Sequence, residues 1–462
     1  MGPMRTTALC NGAARLMACA AAAVAAMALA LATPPALGAE TDLLALTRDA
    51  LLNDPTFAAA RFTQFAAAES EPQARANLLP TLSASVSETA NRIDYRSPVF
   101  RAFNIQETFN AWGPTLNLTV PVYNAQYWES LTQAKLTVTQ SEAQLAQART
   151  DLIVRVAQAY FDVLASADAL AALRENKKAI SEQLAQAKRE FEVGTKTIVD
   201  THEAKARYDQ IDAQEQVARG DLAIKQSALR AIIGHDAGDI AGLRDPVALA
   251  PPQPNDIETW ARNAESGNYA VLAARSGSEI AHYEVRRARD AYLPTVNITG
   301  SVAYQRSDHG NIYINGSDAQ TNSQLGITLT VPVFTGGATQ SRVREAHARE
   351  SKADQDLEFA RRTAAQSARQ AYTGVDYGLA QVQALESAEV SARTQLDSTR
   401  LGYQVGMRTN LDILNANTQL FNTQRDLRKA RYDFLVNGLK LKAAAGALAD
   451  EDIATVNALL VR

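Results

Sequence analysis

Cysteine is nearly missing. The chain of 462 residues has two, Cys10 and Cys19, both near its start. With that start removed no thiol is left, which excludes cysteine-ligated zinc, iron–sulfur clusters, disulfide staples and cysteine catalysis. An excess of one charge sign is missing too: 46 basic residues face 50 acidic ones, a net −4. A general nucleic-acid binder needs a basic surface and is excluded on that ground. The phosphate-loop pattern GxxxxGK[ST] and the nucleophile pattern GxSxG are absent. His202-Glu203 opens a metalloprotease-like pattern, but Ala206 stands where the second histidine belongs. The histidines (His202, His235, His282, His309, His347) are scattered and read as surface or turn residues. No nucleophile–base constellation is readable, so no enzymatic activity and no cofactor or metal site is expected. Acid–base pairs such as Glu345 and Arg349 read as solvated i,i+4 pairs.

The first forty residues read as an address. Arg5 and Arg15 precede an apolar, alanine-rich run from Leu16 to Ala32, which Pro34 and Pro35 break. Ala36-Leu37-Gly38 supplies small residues for cleavage after Gly38 or Ala39, the pattern of a secretory signal peptide over residues 1–38. Its removal leaves 44 basic residues against 50 acidic ones, or −6. As a membrane anchor the run is short and poor in leucine. As a lipoprotein leader it is misplaced, because the apolar run follows Cys19 rather than preceding it.

The rest of the chain is one unit written twice. Phe191-Glu192-Val193-Gly194-Thr195-Lys196-Thr197 recurs as Tyr403-Gln404-Val405-Gly406-Met407-Arg408-Thr409, an offset of 212. Asp200 and Asp412, Gly234 and Gly446, and Ala159-Tyr160 and Ala371-Tyr372 keep the same offset. Leu79-Pro80-Thr81 returns as Leu293-Pro294-Thr295, and Val120-Pro121-Val122-Tyr123 as Val331-Pro332-Val333-Phe334. Residues 39–235 and 256–446 are the two copies. Residues 236–255, with Pro246, Pro251, Pro252 and Pro254, form a linker through which no helix runs, and 447–462 are a tail.

Each copy reads as helix, strand, loop, strand, very long helix, turn, helix. The first long helix is expected from about Gln126 to Phe191, with Leu152, Val156, Tyr160, Val163, Ala167 and Leu170 on one stripe and no proline to interrupt it. At 1.5 Å per residue this is roughly 100 Å, far beyond an ordinary globular helix. Its second copy is expected from about Thr339 to Tyr403, with Val375, Leu379, Val382 and Leu385 in line. Such lengths imply coiled-coil or tubular packing.

Four segments alternate with period two. Leu82, Ala84 and Val86 alternate with serines, and Leu116, Leu118, Val120 and Val122 with Asn117, Thr119 and Pro121. Val296, Ile298, Gly300 and Val302 alternate with Asn297, Thr299 and Ser301, and Leu325, Ile327, Leu329, Val331 and Val333 with Gly326, Thr328, Thr330 and Pro332. Each is about nine to eleven residues, enough for a tilted strand to cross a bilayer. Trp112 and Tyr123 flank the second segment and Tyr292 and Tyr304 the third, as in an interfacial aromatic girdle. The connections, Asn91 to Ala111 and Gln305 to Asn322, read as polar loops. A soluble sheet with one dry face shows the same alternation; leader, girdle and repeat together favour the membrane. A membrane sheet must close, and single-chain barrels begin at about eight strands. Four are too few, so the chain must associate.

The doubled Val-Gly-x-x-Thr turn, the Leu-Pro-Thr openings and the Val-Pro-Val-Tyr/Phe closings resemble the TolC family of outer-membrane export channels, from roughly Thr41 to Gly446. The resemblance implies a mainly α fold with transmembrane β: a homotrimer, with one twelve-stranded β-barrel in the outer membrane of a Gram-negative bacterium and a long α-helical barrel across the periplasm. It also implies an equatorial belt made by the linker and tail. The implied function is a passive conduit for type I protein secretion or drug efflux. The implied partners are a periplasmic adaptor and an inner-membrane ABC transporter or proton-driven pump. Drug-efflux branches often carry a lipidated N-terminal cysteine, which favours the secretion-type or multi-purpose branch here. A periplasmic coiled-coil scaffold or adhesin without a pore is the alternative; it accounts for the helices but not for the girdled strands.

The resemblance also places a gate at the two glycine turns. Gly194 and Gly406 suit the left-handed conformation that ends a helix. By family position, Tyr403 and Arg408 bond to Asp200 within and between chains, and Asp412 forms a ring of carboxylates that attracts cations. Asn415 stands where a second acidic ring is frequent, so a weaker cation block is expected. Val199 replaces a hydroxyl residue of the network, and Lys196 reads as a solvated tip residue.

Overall fold

The computed structural model describes residues 41–95, 105–195, 197–308 and 318–461. The signal-peptide stretch, Lys196, His309 and the centres of both strand connections lie outside them.

Where one helix was expected before the first strand there are three: α1 (Leu43–Asn53), α2 (Pro55–Ala68) and α3 (Ser70–Ala76). The breaks are written locally. Asp54 leaves the helical region, its carboxylate accepts the Phe57 N–H at 2.7 Å, and Pro55 takes the first position of α2, where no N–H is needed. Two strands follow, β1 (Thr81–Tyr95) and β2 (Ile105–Tyr123). Asn124 then caps α4 (Ala125–Glu192), and α5 (Ile198–Ile233) returns to end on Gly234 at φ 84°. The series continues with α6 (Ile257–Gly267), α7 (Tyr269–Asp290), β3 (Thr295–Ser307), β4 (Asp318–Thr330), α8 (Ala338–Gln404), α9 (Asn410–Ala444) and a short α10 (Asp450–Asn457). Asn268 divides α6 from α7, capping the second helix through the Ala270 N–H at 2.9 Å and donating to the Ala444 carbonyl at 2.9 Å. The long helices have 68 and 67 residues, each followed by a shorter antiparallel partner of 36 and 35.

The strands run further than expected. Pairing continues from Thr81–Thr119 out to Tyr95–Ile105, and from Thr295–Thr330 out to Ser307–Asp318. Residues that looked like loop, such as Asn91, Arg92 and Thr108, are ladder residues because the hairpin backbone stays paired whatever the polarity of the side chains.

The helices meet mostly in small separate clusters, some of them rich in alanine, as at Ala264, Ala364 and Ala368. The large cluster lies halfway along α4. Tyr160 and Phe161 meet edge to face at 5.4 Å, and Phe161 stacks on Tyr432 of α9 at 5.5 Å. Leu43 and Leu46 of α1, Leu229 and Ile233 of α5, Trp260 of α6 and Ile453 of α10 join them. The linker is drawn into this cluster: the Tyr160 hydroxyl donates to the Ala241 carbonyl at 2.6 Å, and Leu243 bridges to Leu460 of the tail. Of the α4 stripe, Leu152, Val156, Tyr160, Val163 and Leu170 are buried.

Candidate functional site

Two regions carry the functional geometry: the sheet at one end of the helices and the glycine turns at the other.

The sheet has the order β1-β2-β3-β4, antiparallel throughout. Residues directly opposite one another share a face, so the register sorts the alternating side chains into rows. One row is Leu82, Leu118, Gly300 and Leu325; its neighbours are Ala84, Leu116 and Val302, and Val120, Ile298 and Ile327. The opposite face carries Thr81, Thr119 and Thr299, then Ser83, Asn117, Ser301 and Gln324. Over these rows one side is apolar and the other polar without charge; charge enters only further toward the hairpin ends, from the Glu88–Trp112–Arg306 row onward. The apolar side is uncovered: Val86, Leu325 and Ile327 are about three-quarters exposed. No other described strand pairs with the outer edge of β1 or of β4. Trp112 and Tyr304 lie edge to face at 6.4 Å. Between them the strands come so close that a Cβ on Gly113 would fall 1.8 Å from the Tyr304 carbonyl oxygen.

At the other end, α4 turns into α5 at Gly194 (φ 77°) and α8 into α9 at Gly406 (φ 80°). Each turn closes with backbone bonds back onto the helix it ends, Thr195 N–H to the Glu190 carbonyl and Met407 N–H to the Gly402 carbonyl. The next helix opens with a capping box in both cases. Asp200 accepts from the Thr197 N–H (3.2 Å) and hydroxyl (3.0 Å), and Asp412 from those of Thr409 (both 2.9 Å). These bonds, with the charge of Arg408, hold the Asp412 carboxyl below the usual range.

Within one chain the two turns meet through a pair the sequence reading did not name. The Tyr403 hydroxyl donates to the Glu190 carboxylate at 2.7 Å, while Asp200 is turned toward Thr197. Burial and the neighbouring carboxylate push the Tyr403 phenol well above its ordinary value. Arg408 is exposed, with its Cγ against Gly402, where an added Cβ would lie 2.8 Å away. Asn415 accepts from Arg207 of α5 at 3.3 Å, a second tie between the two helix pairs. A signal for Glu190 does exist in the repeat. Where the second copy has Gly402-Tyr403 the first has Glu190-Phe191, so acid and hydroxyl sit on opposite copies. Val199 is exposed and Lys196 lies outside the described residues.

Among the described residues the histidines lie apart or pair with carboxylates. His282 and His347 share Glu350 at 2.7 and 3.1 Å, His235 lies 3.2 Å from Asp49 beside the Gly234 turn, and His202 is exposed. Glu345 and Arg349 pair on the surface at 2.6 Å. No metal-binding group of His, Cys, Asp and Glu occurs among the described residues.

Paired helices of this length joined to an uncovered amphipathic sheet fit the class of outer-membrane channels. The chain belongs to the outer membrane efflux protein family, whose sequence model matches residues 46–235 and 260–447. It is 31% identical to the outer membrane protein TolC of Vibrio cholerae over 88% of this chain and 91% of that one. It is 30% identical to TolC of Escherichia coli over 90% and 84%, and 30% identical to the alkaline protease secretion protein AprF of Pseudomonas aeruginosa over 89% and 86%. The same fold occurs in the Campylobacter jejuni CmeC outer membrane channel, with a TM-score of 0.77 at 18% identity over 93% of this chain and 94% of that one. It occurs again in the Vibrio cholerae outer membrane protein VceC, with a TM-score of 0.73 at 21% identity over 87% and 96%. The protein is thus an outer-membrane channel of the efflux and secretion family.

Proposed function

We propose that three copies of this chain form a passive export conduit. Three four-stranded sheets close a twelve-stranded barrel with the apolar rows toward lipid and the uncharged polar rows toward water. β1 of one copy pairs with β4 of the next, which keeps the closed barrel antiparallel because each copy supplies an even number of strands. Beneath it the helices make a tunnel across the periplasm, closed at the glycine turns. The observation that carries this reading is the sheet: an exposed apolar face with both outer edges open is untenable in water and incomplete in lipid.

In the closed state Tyr403 and Glu190 tie the two helix pairs of one copy together. Arg408 reaches Asp200 of a neighbouring copy, and three Asp412 carboxylates ring the mouth. A periplasmic adaptor and an inner-membrane pump dock on that end and open it. Protein secretion, driven by an ABC transporter, is the reading placed first, because AprF, a protein named for protease secretion, aligns with nearly the whole chain. Small-molecule efflux driven by a proton-coupled pump is the second. The pump that co-purifies with the cross-linked channel decides between them.

The test of the conduit is the oligomer mass in detergent combined with conductance in planar bilayers. A trimer giving discrete conductance steps is expected. A water-soluble monomer without steps is what the coiled-coil scaffold or adhesin predicts, and would end the proposal.

A further inference from the structure

The helices repeat the order of the strands above them, and this assigns the faces on which copies meet. In the half nearest the sheet, α2 and α3 pack on α4, α4 on α7, and α7 on α8. In the far half the order is α5, α4, α9, α8. The free edges are therefore α2 and α5 on one side and α8 on the other, where α6 and the linker cover only the stretch about Ala364 to Tyr372 and leave Phe359 and Tyr377 exposed on either side of it.

Hydrogen bonds between neighbours set the heights. Ser70 donates to the Ala134 carbonyl at 3.3 Å and Arg155 reaches Asp54 at 2.9 Å. Phe62 and Phe65 of α2 thus stand opposite the stretch of α4 at about residues 140–145. That stretch faces α7 near Gly277, where an added Cβ would lie 3.3 Å from Gln140. α7 in turn meets α8 through Ser278 and Asp354 at 2.7 Å. Carried around the wall, Phe62 and Phe65 lie level with Phe359 on the opposite edge. In the far half, Lys225 meets Asp162 at 3.2 Å, Lys440 meets Gln158 at 2.9 Å, and Gly378 packs on the Phe434 ring at 3.7 Å. This brings Ile224 of α5 level with Tyr377 of α8.

All five side chains are uncovered in the single chain: Phe62 61%, Phe65 55%, Ile224 68%, Phe359 71% and Tyr377 71% exposed. Phe359 and Tyr377 are 18 residues apart, which is five turns of an α-helix, so they share a face. Large apolar groups at equal heights on the two free edges are what a ring of identical copies would bury.

We propose that a second copy of the chain covers each edge, with Phe359 of one copy seated on Phe62 and Phe65 of the next, and Tyr377 on Ile224. The inference rests on the ring proposed above and names its seam. It is tested on the full-length protein purified in detergent with Cys10 and Cys19 replaced by serine. The matched pairs Phe62→Cys with Phe359→Cys and Ile224→Cys with Tyr377→Cys are expected to give covalent dimers and trimers on denaturing gels after mild oxidation or a short bismaleimide. The mismatched pair Phe62→Cys with Tyr377→Cys is expected to stay monomeric. An oligomeric native mass with matched pairs that do not cross-link, or with cysteines still open to a bulky maleimide, overturns the seam and leaves the ring intact. A monomeric native mass overturns both. Phe359→Asp, exposed in the single chain and so compatible with its fold, should shift the protein toward monomer on dilution. An unchanged trimer would count against the seam.

Discussion

Gly113 shows how one residue can hold a sheet in register. Any side chain there meets the Tyr304 carbonyl, so Gly113→Ala must push β2 and β3 apart. Overpacking of this kind costs about 1–3 kcal/mol. The variant is expected to melt earlier in detergent and to lose trimer on unheated gels. A second residue, Glu215 of α5, is buried among Lys177, Arg174 and Arg219 at 2.5 to 3.4 Å. Its hydrogen bond from Lys177, aided by the two arginines, holds its carboxyl down to about 2 against an ordinary 4.5. A depressed folded value means the stabilisation is complete above about pH 4.5 and is lost as pH falls toward 2. Thermal melts across that window should slope downward on acidification, and Glu215→Gln should flatten the slope; equal slopes would remove Glu215 from acid stability. Such residues are poorly legible in sequence. The glycine turns announce themselves by repetition, whereas Glu190 owes its partner to a helix of the other copy and Glu215 owes two of its three to the facing stretch of the preceding helix. Tyr403 was legible as a tip residue, but its partner within the chain was not.

At the scale of elements, both long helices end within a residue or so of where periodicity and proline placement put them. The leading segment reads as one continuous helix because its apolar and alanine content is unbroken, yet Asp54-Pro55 starts a new helix within it. The strand ends were misread for the opposite reason: polarity suggested loop where hairpin pairing continues. Asp54 is the element-scale test. It caps α2, is almost fully buried, and receives Arg155 at 2.9 Å. Asp54→Ala should cost about 1–2 kcal/mol through the lost cap and make the α1–α2 junction the first site of limited proteolysis. A melting point and cleavage map matching the parent would show that the junction is held by packing alone.

At the scale of the whole molecule the predictions concern current and its obstruction. Replacing Tyr403 with Phe and Arg408 with Ser together frees the Glu190 contact and removes the tip cation, and single-channel conductance is expected to rise severalfold. An unchanged step size would place the closure elsewhere. Asp412→Asn keeps a side-chain oxygen for the Thr409 bonds while removing the charge. It should weaken block by divalent or trivalent cations, read as a higher half-blocking concentration, and an unaltered block would take Asp412 away from the mouth. A sheet too small to close on itself was legible from strand number alone, whereas the heights of Phe62, Phe359, Ile224 and Tyr377 along the helices came only from the inter-helix hydrogen bonds.

The wrapping of linker and tail around the mid-height cluster has a practical corollary. Thr41 bridges to Ile240 and Leu460 to Leu243, so both ends of the described chain converge on the same short stretch, far from the sheet and from the turns. A fluorescent reporter joined near Val461 would sit at mid-height on the helices and, in the proposed conduit, within the cell envelope. Antibodies applied to intact cells should miss it, while reporters inserted between β1 and β2 or between β3 and β4 should be stained.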